Sequence, residues 1–205
     1  MKKDSIPYVV AFTFLICAAF VLVLAAANEG TKDLVAANKE FATQSAVLGA
    51  FGIPYSDASG AAAAFASSVR PGKAEGFGSW LATIDGTEYV AVEQSGAGLW
   101  GAISVVLAAS PDGRRVRGIR VVAQNETPGL GGRIEEPWFL GQYEGERAPG
   151  GRIAMKAGAE AAGAPDADKE NGSVDGVSGA TRTSQAFGAI IDAGLKRVEA
   201  IGGGK

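Results

Sequence analysis

The 205-residue sequence contains no histidine and only one cysteine. Without histidine the chain has no Ser–His or Cys–His nucleophile pair, no His-ligated haem and no zinc site with histidine ligands. With one thiol, Cys17, it forms no intramolecular disulfide and no thiolate cage for zinc or an iron–sulfur cluster. No metal site is predicted, and any redox chemistry must be carried by an organic cofactor.

An excess of one charge is also absent. The 19 Lys and Arg residues and 22 Asp and Glu residues give a formal net charge of −3. No dense Lys/Arg block of the kind that follows a phosphate backbone is present, so nucleic acid is not an expected partner. The length suits one compact domain with an appendage.

A long apolar run occurs once, in "IPYVVAFTFLICAAFVLVLAAA", Ile6 to Ala27. This uncharged run is long enough to cross a bilayer as a helix. A cleaved signal peptide is the alternative, since Ala25 and Ala27 resemble a small-residue cleavage site. The run is longer than the usual apolar core of a signal peptide, which favours a retained anchor.

Two lysines, Lys2 and Lys3, precede this run and favour a cytoplasmic N-terminus. We therefore predict a transmembrane anchor at residues 1–28, which contacts the lipid of the cytoplasmic (inner) membrane. The remaining residues, 29–205, are predicted to form one domain on the extracytoplasmic (periplasmic) side.

The pattern of the second half predicts an α+β fold with a small antiparallel sheet. In "WLATIDGTEYVAVEQSG" the Asp85–Gly86 pair separates two β-prone runs, which indicates a hairpin. The "PDG" turn, Pro111 to Gly113, continues this meander. The stretch "ETPGLGGRIEEPWFLGQYEG" is too rich in Gly and Pro to extend a strand, and its aromatic residues either anchor it to the core or line a pocket.

Helices are predicted on both sides of these strands. An amphipathic segment follows the apolar run, and the alanine-rich residues 61–69 predict a short helix. From Arg182 onward, apolar residues fall on one helical face and predict a C-terminal helix: Phe187, Ile190, Ile191, Leu195 and Val198.

The start of this last helix is crowded with hydroxyl residues, in "DGVSGATRTSQAF", Asp175 to Phe187. One interpretation is helix capping, in which Ser178 or Thr181 accepts hydrogen bonds from the first N–H groups. Gly179 would then allow the tight turn before the helix.

The other interpretation is an anion site at the same place. A helix N-terminus offers N–H donors and a positive dipole, which together can hold a phosphate. The hydroxyl of Thr181 can hold such a ligand or be joined to it covalently. Gly179 and Ala180 leave room for the ligand, and Asp175 can orient a hydroxyl or a metal ion during attachment.

Three motifs carry a family resemblance. "DGVSGAT", Asp175 to Thr181, resembles the flavinylation signature of the FMN-binding subunits of the Nqr and Rnf membrane redox complexes. "GLWG", Gly98 to Gly101, and "ETPGLGG", Glu126 to Gly132, resemble the two flavin-contacting loops of the same subunits. Three motifs in the same order are more specific than one, and they favour the phosphate interpretation.

This resemblance implies a covalent FMN, joined through its phosphate to Thr181 by a dedicated FMN transferase. It implies that Glu126 and Thr127 make polar contacts to the flavin edge. Trp100 either stacks on the flavin or packs in the core. The implied cofactor-binding residues are Thr181, Ser178, Gly179, Ala180, Asp175, Glu126, Thr127, Leu130, Gly131, Leu99 and Trp100.

The resemblance further implies an electron-relay subunit that works with other membrane subunits in an ion-translocating NADH:quinone oxidoreductase, as the C subunit of an Nqr-type complex. The alternative is the G subunit of an Rnf-type ferredoxin:NAD oxidoreductase. The stretch "ETPGLGGRIEEPW" favours Nqr, and the short C-terminal ending favours Rnf; we choose Nqr. A stand-alone anchored flavoprotein or a reversible anion-binding module is the alternative from another class.

Overall fold

A computed structural model of the chain describes residues 5–74, 76–156 and 166–203. The chain divides into two compact units, Met1–Glu40 and Phe41–Lys205. The first unit is helical from residue 6, within helix α1 (Ile6–Phe51). The most apolar window of this helix has a mean hydropathy of 2.9 and no buried residues, so it is long and apolar enough to span a membrane. The boundary of the anchor at residue 28 stays a prediction.

The described part of the second unit contains a five-stranded antiparallel sheet, a short parallel strand pair and three helices besides the end of α1. The sheet has the order β1 (Val69–Pro71), β2 (Ser79–Ile84), β3 (Thr87–Ala97), β4 (Ala102–Ala109) and β5 (Val116–Ala123). The helices are α2 (Ala58–Ser68), α3 (Pro137–Tyr143) and α4 (Thr181–Gly202), and the parallel pair is β6 (Ala154–Lys156) with β7 (Ser173–Asp175). The predicted α+β fold, with a small antiparallel sheet and flanking helices, is confirmed.

The turn between β2 and β3 is the predicted one. Asp85 and Gly86 have φ angles of 50° and 78°, the left-handed pair that a two-residue hairpin turn requires. Asp tolerates this conformation and Gly adopts it without strain, so these two residues fix the register of the hairpin.

Both faces of the sheet are covered, which explains why residues 105–109 of β4 are all apolar and buried. Val105 and Leu107 pack into the cluster that contains α4, whereas Val106 and Ala108 pack into the cluster formed by α2 and the end of α1. Alternate side chains of one strand therefore enter two different cores. Helix α4 lies along β3 and β4, so the central strands of the sheet position its N-terminal turn.

The Gly- and Pro-rich stretch after residue 126 is anchored to the core. It contains a 3₁₀ turn, Gly131–Glu135, followed by α3, which sequence reasoning did not predict. The ring of Phe139 lies edge-on to those of Phe187 and Tyr143, with centroids 5.3 Å and 5.8 Å away. This aromatic cluster fixes α3 against α4.

Candidate functional site

The turn that precedes α4 is built by backbone and hydroxyl hydrogen bonds. The N–H of Ala180 donates to the carbonyl of Val177 at 3.0 Å, and Gly179 between them has a φ of +79°. Ser184, one turn into the helix, accepts the N–H of Val177 at 3.0 Å and donates its hydroxyl to the carbonyl of Ala180 at 3.0 Å. The turn is thus held by Ser184, which sequence reasoning missed.

Helix α4 begins at Thr181, and its N-cap residue is Ala180, whose side chain makes no capping hydrogen bond. The capping interpretation is therefore wrong, because neither Ser178 nor Thr181 occupies the N-cap position. Thr181 is exposed on the first turn of a 22-residue helix. The positive end of this helix lies beside an accessible hydroxyl, an arrangement that suits a phosphate.

The Gly98–Gly101 motif is the loop between β3 and β4. The N–H of Gly98 donates to the carbonyl of Gly101 at 2.7 Å, which closes the loop. Leu99 is 49% exposed and Trp100 is 69% exposed. Trp100 is therefore not a core residue, and its large apolar surface is available to a ligand.

The Glu126–Gly132 motif forms a second loop, which is closed by hydrogen bonds to one backbone carbonyl. The carbonyl of Thr127 accepts the N–H groups of Leu130 and Gly132 at 3.1 Å and 3.0 Å. The side chain of Leu130 is 48% exposed. This loop therefore presents an apolar side chain to solvent from a closed backbone turn.

Glu126 joins the motifs to one another. It is 4% exposed, and its Oε1 accepts the N–H groups of Leu99 at 2.8 Å and Trp100 at 3.0 Å. Its Oε2 accepts the hydroxyl of Thr183, on the first turn of α4, at 2.7 Å. Burial raises the pKa of Glu126, but the hydrogen bonds from Trp100, Thr183 and Leu99 outweigh it, so the pKa is lowered. We call this arrangement the Glu126 clamp.

Glycine residues allow the two loops and the start of α4 to approach one another closely. A Cβ on Gly131 would lie 2.7 Å from Oγ1 of Thr183 and 2.8 Å from Oε2 of Glu126, so a larger residue there would displace the hydrogen bond between these two side chains. A Cβ on Gly98 would clash with Oε1 of Glu126. A Cβ on Gly179 would lie 3.6 Å from Cδ2 of Leu130, which places the second loop beside the turn before α4.

Asp175 lies in a different set of contacts. It ends β7 and is buried, opposite Lys156 of β6. The side chain of Gln142 in α3 accepts the N–H of Asp175 at 2.9 Å and donates to its carbonyl at 3.1 Å. These contacts fix the strand that leads into the motif, while a role of the Asp175 carboxylate in attachment stays a prediction.

Glu126 joins the loop of Leu99 and Trp100 to the first turn of α4, and Leu130 lies near Gly179 in the turn before that helix. Sequence reasoning missed Thr183, Ser184 and Gln142, whose partners are set by the tertiary fold. The site combines an exposed threonine at a helix N-terminus with three exposed apolar side chains, Leu99, Trp100 and Leu130. This combination fits a ligand with a phosphate at one end and a flat apolar ring system at the other.

Comparison with known families agrees with this geometry. Residues 98–196 match the FMN-binding domain family. The matched range begins at the Gly98–Gly101 loop and ends within α4, so it contains all three predicted motifs. The match supports the predicted resemblance to FMN-binding subunits, and FMN is the ligand that the matched family binds.

Two relatives show how far the similarity extends. The C subunit of the Na⁺-translocating NADH-quinone reductase of Vibrio anguillarum is 40% identical over 103 residues, which are 50% of this chain and 40% of that protein. Its counterpart in Yersinia pestis is 42% identical over 91 residues, 43% of this chain and 33% of that protein. The aligned region thus spans less than half the length of these relatives.

Solved structures share the fold over most of this chain. The C subunit of the Na⁺-translocating NADH-quinone reductase of Parabacteroides distasonis superposes with a TM-score of 0.66 at 20% identity, covering 83% of this chain and 96% of that one. NqrC of Shewanella oneidensis superposes with a TM-score of 0.64 at 22% identity, covering 80% of this chain and 99% of that one.

Proposed function

We propose that this chain is an FMN-carrying electron-relay subunit of a Na⁺-translocating NADH:quinone reductase. The observation that carries the proposal is the convergence of three FMN-family loops on the N-terminus of α4. Bound FMN supplies one- and two-electron chemistry, and the chain supplies the groups that bind and orient it.

Thr181 is the proposed attachment residue. It is exposed at the first position of α4, where the N–H groups and dipole of the helix favour a phosphate. Oγ1 of Thr181 would hold the FMN phosphate as an ester, formed by displacing the leaving group of an activated FMN donor with loss of the hydroxyl proton. The exposed guanidinium of Arg182 adds positive charge beside the phosphate.

The flavin ring is proposed to lie against the exposed side chains of Leu99, Trp100 and Leu130. These side chains exclude water from the faces of the ring, and an indole is a good stacking surface. Both carboxylate oxygens of Glu126 are engaged by protein donors, so we assign it to the loops rather than to the flavin edge. Thr127 is exposed and is the remaining candidate for a polar contact to that edge.

The partners are proposed from the relatives and from the apolar helix. One candidate membrane helix and the similarity to NqrC-type proteins support association with the inner membrane. We propose that other membrane subunits donate electrons to the flavin and accept them from it, and that an FMN transferase acts during maturation. Lys2 and Lys3 favour an N-terminus in the cytoplasm and an FMN domain on the periplasmic side.

The test is to express the full-length chain with and without a flavin transferase, purify it in detergent and denature it. Flavin absorbance that stays with the denatured protein only when the transferase is present, and that bleaches on reduction with dithionite, supports the proposal. Thr181→Ala should abolish the retained flavin, whereas Thr83→Ala, at an exposed position of β2, should keep it. If the parent chain retains no flavin, the result would favour the alternative function, a reversible anion-binding module.

Co-purification separates the remaining alternatives. A tagged chain isolated gently from its own membranes should carry other membrane subunits. A flavin-loaded chain that is isolated alone would instead support a stand-alone anchored flavoprotein.

A further inference from the structure

The Glu126 clamp connects the two ends of the candidate cofactor site. One carboxylate oxygen holds the loop that carries Leu99 and Trp100, and the other holds Thr183, two residues after Thr181. A single buried side chain thus spans the proposed ring-binding loop and the proposed attachment helix.

We propose that Glu126 is a positioning residue, which holds Trp100 at a fixed distance from the attached FMN. This inference rests on the proposed function. Glu126 acts through the loop, because its oxygens face backbone N–H groups and a hydroxyl of the protein. Without the clamp, FMN can still be attached to Thr181, but Trp100 no longer covers the ring.

The chemistry of the partners explains why a carboxylate is used. Three donors converge on the two oxygens, and an ionised carboxylate accepts all of them without needing a donor of its own. Alanine at this position removes every acceptor and leaves two N–H groups of the loop unpaired. Glutamine keeps an oxygen for the loop, and its amide N–H can donate to the hydroxyl oxygen of Thr183.

The first arm of the test uses the full-length, flavin-free chain in detergent and measures hydrogen–deuterium exchange in peptides covering residues 97–103. Glu126→Ala should speed exchange there by about tenfold, since the lost bonds are charge-assisted. Glu126→Gln should stay close to the parent. Glu146→Ala is the matched control, because Glu146 is a buried carboxylate that accepts a backbone N–H in another loop, from Gly172.

The second arm uses the same variants after loading by a flavin transferase and measures flavin fluorescence. A stacked indole quenches this emission, so Glu126→Ala should retain the added FMN mass while its fluorescence rises severalfold. Glu126→Gln and Glu146→Ala should remain quenched. If Glu126→Ala does not fold, Glu126→Asp, whose side chain is one methylene shorter, gives the same comparison.

Unchanged exchange and unchanged fluorescence in Glu126→Ala would overturn the inference. Equal changes in Glu146→Ala would also overturn it, because they would show a general loss of stability. If the parent chain takes up no FMN, the proposed function fails by itself. The exchange arm then still decides whether Glu126 holds the loop.

Discussion

The hydroxyl of Thr183 donates a 2.7 Å hydrogen bond to Oε2 of Glu126, across 57 residues of sequence. Both side chains are buried, so water does not compete for this bond. The contact fixes the first turn of α4 against the second motif loop. The geometry of the candidate site thus depends on residues that do not themselves face the proposed ligand.

Thr183→Val tests the strength of this contact. Valine keeps the shape of threonine but removes the donor, which leaves a buried carboxylate oxygen one hydrogen bond short. We expect the free energy of unfolding to fall by about 1–2 kcal/mol in denaturant titrations. Thr83→Val, on an exposed face of β2, should change it by less than about 0.5 kcal/mol. Equal effects of the two substitutions would contradict a buried hydrogen bond at Thr183.

The lowered pKa of Glu126 predicts an acid-sensitive contribution to stability. Since the pKa is lower in the folded state, the contribution is complete above the unfolded value of about 4.3 and is lost as the pH falls through the folded pKa. The difference in Tm between the parent and Glu126→Gln should therefore be constant at neutral pH and shrink below about pH 4. If the Tm difference grows on acidification, the pKa of Glu126 is raised in the folded state and not lowered.

Gly179→Ala tests the turn before α4. The φ of +79° places this residue in the left-handed region, while a Cβ would meet only Leu130, at an ordinary 3.6 Å. The cost is therefore backbone strain alone, about 1–2 kcal/mol in unfolding free energy. Gly179→Asn should lower the unfolding free energy by less than Gly179→Ala does, because Asn tolerates the left-handed region better than Ala. In Gly141→Ala, within α3, a Cβ meets no atom within 4 Å, and stability should be kept or raised. If the Gly179→Ala chain is as stable as the parent, the φ of residue 179 does not impose backbone strain on alanine.

Trp100→Ala separates ligand contact from folding. Because Trp100 is 69% exposed, its removal should change the unfolding free energy by less than about 0.5 kcal/mol. In the flavin-loaded chain the same substitution should raise flavin fluorescence. Tyr55→Ala removes another exposed aromatic ring outside the motifs and should leave the emission unchanged. Quenched emission in Trp100→Ala would mean that Trp100 does not cover the ring.

The local elements of the fold were predictable from the sequence. The Asp85–Gly86 turn and the apolar face of α4 depend on neighbouring residues, and both are present in the structure. The last helix could be placed because its helical period is continuous along the chain. The second motif was placed by its resemblance to a family, because its glycines alone indicate only a turn. The two cores could not be assigned, since β4 carries no alternation that distinguishes its faces.

The contacts of the site were less predictable because they join distant segments. The contact of Glu126 with the flavin edge stays a prediction from the family resemblance. Its partners in the protein lie 26 to 57 residues away, and no motif marks them. The β6–β7 pair has three residues in each strand, too few for a periodic signal. Helix α3 was hidden because Pro137 and Gly141 resemble loop residues, whereas burial of Phe139 and Tyr143 stabilises the helix.

The most direct test of the account is the mass of the peptide that contains Thr181, taken from the full-length chain after co-expression with a flavin transferase. We predict one added FMN on this peptide, located by fragmentation at Thr181 and absent from Thr181→Ala. An unmodified Thr181 in the presence of an active transferase would contradict the account.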